Sequence, residues 1–189
     1  MSTVSTKEML EEHLPYRLTL LDGLCWACEI ILPGEDPRIV QVTLDGKPKL
    51  VLRSVRVLTN SLVEAGLLYC RVLLNFLGIR FDGDTNQLAE IKNPGSGDNF
   101  SIRRLGLPCV RLQDLRSAPT GSPQEVEESC RLTLLAMNKG VAHFTDSITT
   151  SSQVEDALRC ARTVMWLTEE YVYRRPGRPV PSFKSWTAA

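Results

Sequence analysis

The sequence predicts a mainly α-helical fold: an antiparallel four-helix bundle with a long irregular insertion and one short β-hairpin. Three observations predict it. Apolar residues recur at helical spacing over four long segments. One of these opens with a strong start signal, Ser122-Pro123-Gln124-Glu125. Period-two alternation of β-branched residues is confined to one short stretch, at 39–52.

The segments follow in order. Thr6 to Leu32 reads as the first helix, with Thr6 as starter, acids in the first turn and Pro15 as a kink point. Residues 39–44 and 49–52 flank Asp45-Gly46, a two-residue turn signature. Residues 53–81 form the longest periodic run, interrupted only by Gly66 and Gly78. As one helix it would span about 43 Å. Residues 82–122 are poorly periodic and hold Pro94, Pro108 and Pro119, so they read as a long insertion. The third helix starts at Ser122 and runs to about Thr145. The last starts at Ser151 or Ser152 and runs to about Arg174. This organises the chain as one domain, 1–175, followed by a proline-rich tail, 176–189.

Composition narrows the function classes. The chain has 189 residues and no formal net charge, which excludes steering of nucleic acid by a large overall field. Charge is uneven: residues 1–37 carry a net −5 and residues 174–189 a net +4. An uninterrupted apolar run of membrane-spanning length and a leader pattern are both missing from the sequence, so a cytoplasmic location without membrane contact is expected. The six cysteines fall mostly in helical apolar patterns, where reduced thiols act as small hydrophobes. Cys25-Trp26-Ala27-Cys28 lacks the second pair a zinc site wants, and reads as core. The run Asp82 to Asn86 has Gln87 where a calcium loop needs glycine, and reads as a polar turn. No metal and no cofactor is expected.

Two helices carry polar residues that core packing does not explain. Asn60, Glu64, Arg71 and Asn75 share one narrow stripe of the long helix. That helix is apolar nearly all round, so it reads as central, and burying the stripe would require partners for both charges. On the third helix Val126, Cys130, Leu134, Met137, Val141 and Phe144 make a core stripe, while Leu132, Ala136, Lys139 and His143 make a second. A helix with two apolar-leaning faces calls for a partner on the second, such as another subunit. The two polar sets define an expected polar pocket between the second and third helices, or else a structural ion-pair seam.

Two segments together resemble a known family. One runs from Glu64 through Tyr69, Cys70 and Arg71 to Leu77; the other is Met137-Asn138-Lys139-Gly140-Val141-Ala142-His143-Phe144-Thr145. They are similar to the HEPN-like helical bundle proteins of prokaryotes. The resemblance implies a homodimer that cleaves RNA without metal, with His143 as acid or base near the ribose hydroxyl and Asn138 as an orienting group. In that family an arginine stands directly before the asparagine. Here the position is Met137, and the next basic residue upstream, Arg131, is twelve positions before His143. Arg71 on the neighbouring helix is then the candidate phosphate contact. The departure implies weak or lost ribonuclease activity. The expected role is RNA-directed, of a defence or toxin–antitoxin type with an antitoxin-like protein partner, or that of a non-catalytic dimeric regulatory module.

Overall fold

The computed structural model describes residues 4–31, 39–52, 54–92, 100–138 and 151–182. Among the described residues, four long helices supply most of the core, and two antiparallel hairpins accompany them. The first helix is capped by Ser5, one residue before the expected starter. Its hydroxyl accepts from the Glu8 N–H at 3.1 Å, and the Glu8 carboxylate accepts from the Ser5 N–H. The chain turns through Thr6–Glu8, widens into a π-helical stretch at Met9–His13 and continues as α1, Leu14–Ile31. Pro15 therefore does not split this helix. The wide turn just before it, closed by Leu14 N–H on the Met9 carbonyl, makes room for the ring.

The first hairpin pairs β1, Val40–Leu44, with β2, Lys47–Leu52, around the expected Asp45-Gly46 turn. Both turn residues have positive φ, 52° and 73°, the geometry that such a turn requires. Its described side chains face water except Leu52, which is half-buried.

Helix α2, Val55–Leu77, is shorter than the periodic run that predicts it and spans about 35 Å. Ser54 caps its start, accepting from the Arg56 N–H. Gly78 ends it in the left-handed region at φ 108°, donating to the Leu74 and Asn75 carbonyls. A side chain at Gly78 would also strike Cys109, whose Cβ lies 2.8 Å from the place a Cβ would take. The chain then enters a second hairpin, β3, Ile79–Asp82, with β4, Gln87–Glu90. Residues 83–86 of the polar run are its turn.

The stretch expected to be an irregular insertion is largely structured. It holds β4, a 3-10 turn at Ile102–Leu105 and the short helix α3, Leu112–Arg116. Ile102, Val110 and Leu115 are buried in the common core. Val110 N–H donates to the Leu77 carbonyl at 2.9 Å, and Ile91 N–H to the Gly78 carbonyl at 2.8 Å, so the segment folds back onto the end of α2. These elements are too short to show periodicity, and tertiary packing decides them.

Helix α4, Pro123–Asn138, begins as its sequence predicts: Ser122 caps it and the Glu125 carboxylate accepts from the Ser122 N–H at 2.8 Å. The expected continuation to Thr145 lies outside the described residues. Helix α5, Ser151–Thr168, runs on into a π-helical end at Glu169–Arg174. There Tyr173 donates its hydroxyl to the Leu10 carbonyl at 2.9 Å, tying the end of the last helix to the start of the first.

Helix α2 packs on α1, α4 and α5, and α5 also packs on α1 and α4. The α1–α2 contact is a close one. A Cβ built at Gly66 would lie 2.4 Å from the Leu24 Cβ, which sits next to the α1 backbone. Gly66→Ala should therefore destabilise by about 1–3 kcal/mol through overpacking. Helix propensity alone gives the opposite sign, a gain of about 1 kcal/mol. The shift of the urea midpoint decides between them, and a midpoint that rises removes the close-packing account.

Candidate functional site

The polar stripe of α2 faces outward. Glu64, Arg71 and Asn75 are exposed and Asn60 is half-buried. The expectation of a nearly all-buried central helix is corrected on this side. The reason is visible in the pattern: Val57, Leu68 and Val72, which make the helix look apolar all round, are 60%, 47% and 37% exposed on the same face. Glu64 and Arg71 form no ion pair among the described residues. The stripe is therefore neither a buried ion-pair seam nor the wall of a closed pocket.

Of the third-helix set, Asn138 is the last described residue of α4, and its side chain lies outside what is described. Lys139 and His143 lie outside the described residues, so an Arg71–His143 pairing has no geometry here. Met137 is well placed: it is 4% exposed and belongs to the core. The second stripe of that helix is half-covered at Leu132 and Ala136.

Aromatic residues that the sequence did not single out border the α2 face. Tyr16 of α1 is 58% exposed and meets Tyr69 edge-on, with ring centroids 6.1 Å apart, while the Arg17 guanidinium lies 5.6 Å from the Tyr69 ring centre. At the C-terminal end of α2, Phe76 stacks on Phe100 at 6.4 Å, and the Arg104 guanidinium covers Phe100 at 5.6 Å. Tyr16 and Tyr69 sit in ordinary amphipathic patterns, so nothing local distinguishes them. Phe100 and Arg104 are brought to α2 by the insertion's fold.

Helix α2 is the one helix among the described residues that is long and apolar enough to cross a membrane. Its apolar inner face is occupied by α1, α4 and α5.

The cysteines behave as core residues. Cys25 and Cys28 are buried, and burial pushes both thiols up to about 12. Cys70 of α2, Cys130 of α4 and Cys160 of α5 meet at the centre with no exposed surface. The neighbouring Cys160 thiol, together with burial, holds Cys70 and Cys130 well above the usual thiol range. Among the described residues no group of three or more His, Cys, Asp or Glu is arranged to hold a metal ion.

Compared with known protein families, curated proteins and solved structures, the chain finds no match.

The buried thiols make stability depend on alkaline pH. In the unfolded chain they ionise near 9; in the fold Cys25 and Cys28 stay protonated until about 12. Their raised folded values stabilise fully below pH 9, and that contribution fades as pH rises through the 9–12 window. The loss by pH 10 is about 1 kcal/mol for each of these two. Urea unfolding at pH 7.5 and pH 10 checks this, and a Cys25→Ala, Cys28→Ala double variant should lose less over the same interval. An equal loss in both proteins would contradict it.

Proposed function

We propose that the chain is a non-catalytic interaction module, built on a HEPN-like four-helix bundle and acting as a regulatory partner rather than a ribonuclease. The burial of Met137 carries this reading. In the HEPN-like alignment position 137 is where the catalytic guanidinium belongs, and here it points into the core. An arginine there would have to desolvate its charge without a described counter-ion. Arg71, the remaining candidate, stands on an open helix face beside Leu68 and Val72. Stabilising a phosphoryl transition state needs donors fixed around one point and shielded from water. A stripe that mixes aliphatic and charged side chains in the open suits protein contact instead.

A second reading, an RNA-directed protein of a defence or toxin–antitoxin type with weak or lost cleavage, draws on a different observation. Phe76, Phe100 and Arg104 place a cation over stacked rings at the Asn75 end of the same helix, and single-stranded RNA is bound by such combinations.

Incubation of single-stranded RNA with the wild type and with His143→Ala separates activity from contamination. We expect no cleavage from either. Cleavage by the wild type that the variant loses by about 100-fold or more, the scale of a removed general acid or base, would overturn the non-catalytic reading.

A further inference from the structure

The exposed stripe of α2 has an internal symmetry. Asn60 and Asn75 are equidistant from a point beside Leu68, and so are Glu64 and Arg71. Leu68, 47% exposed, therefore sits near the centre of a face whose polar residues read Asn, Glu, then Arg, Asn. Val57 and Val72 add exposed aliphatic surface to it, and Tyr16 of α1 lies beside Tyr69 on its flank.

We infer that this face is self-pairing: two copies of the chain dock on it with their α2 helices antiparallel, Leu68 on Leu68 at the two-fold axis and Glu64 of each copy level with Arg71 of the other. A two-fold interface uses the same patch twice, so the patch must complement itself. Placing opposite charges equidistant from the axis satisfies that condition, and both ion pairs form at once. Asn60 comes level with Asn75, where two amides can donate and accept to each other. The stripe from Val57 to Asn75 runs about 27 Å along the helix, enough for a continuous helix pair. Stable dimers bury at least about 1,200 Å², so the tyrosine flank has to join the contact. A lipid surface fits the face less well. Glu64 and Arg71 lie near its middle, where hydrocarbon would strip both charges of water.

The inference rests on reading the α2 face as a protein contact surface, and the test keeps the two apart. Analytical ultracentrifugation of the full chain at micromolar concentration should show a dimer. Glu64→Arg and Arg71→Glu each place like charges opposite one another at both ends of the contact. Each alone should weaken dimerisation about tenfold or more. Mixed in equal amounts, the two variants become complementary at both ends and should recover a heterodimer of near wild-type strength. That recovery also shows that both variants are folded. A monomeric wild type, single variants that dimerise as well as it does, or a mixture that stays monomeric would each overturn the inference. So would a monomer that floats with phosphatidylcholine–phosphatidylglycerol vesicles, which would give the face to lipid. RNA cleavage by a protein that still dimerises through Glu64 and Arg71 would remove the non-catalytic reading and leave this one standing.

Discussion

The architecture depends on one close approach, Gly66 of α2 against Leu24 of α1. With no side chain at Gly66, Leu24 lies on the bare helix backbone, and α1 and α2 come nearer than a larger residue permits. That approach fixes which side of α2 faces inward. Once Gly66, Leu67, Cys70, Leu73 and Leu74 are committed to the core, the opposite side is committed to the surface. Glu64, Leu68 and Arg71 are exposed as a consequence of where Gly66 has to be.

The same orientation brings Cys70 to the centre, where Cys130 and Cys160 arrive from α4 and α5. Three small, polarisable side chains let three helices converge with little steric demand. Nearby, α4 and α5 are joined by a polar contact at the edge of the core. Arg159 donates to the Ser129 hydroxyl at 3.0 Å, and Ser129 donates to Asp156 at 2.7 Å. Thr120 and Thr163, 2.7 Å apart, add a second such link between the insertion and α5. The interior is thus mostly aliphatic and thiol, with buried threonines such as Thr59 and Thr168 among them, and the charged groups Asp156 and Arg159 stand at its edge.

What the sequence made legible was local chemistry. Ser122, Pro123 and Glu125 announce a helix start because the cap bonds form within three residues of one another. Asp45-Gly46 announces a turn because few other residues accept positive φ. The mainly helical character and the core placement of Cys25 and Cys28 follow from periodicity in the same way. The direction of the α2 stripe was not legible, because a polar stripe on an apolar helix reads equally as a buried seam or as a wet face. Only knowing which neighbours cover the helix decides, and Val57, Leu68 and Val72 disguised the answer. The insertion was illegible for a related reason. Ile102 and Leu115 sit on elements of four and five residues, Val110 lies between them in no regular element, and all three are buried against distant parts of the chain.

The β1–β2 arm stands largely in water, where a bare ladder edge is a hazard because it offers unpaired backbone groups to any passing strand. Here the arm carries its own guards. Pro48 withholds an N–H from the β2 ladder, Lys47 and Lys49 put charge on either side of it, and the bulge between Val42 and Thr43 breaks the regular pleat. An incoming strand would meet a missing donor, two cations and an irregular spacing within a few residues. The projection can remain open to solvent without seeding cross-β growth between molecules.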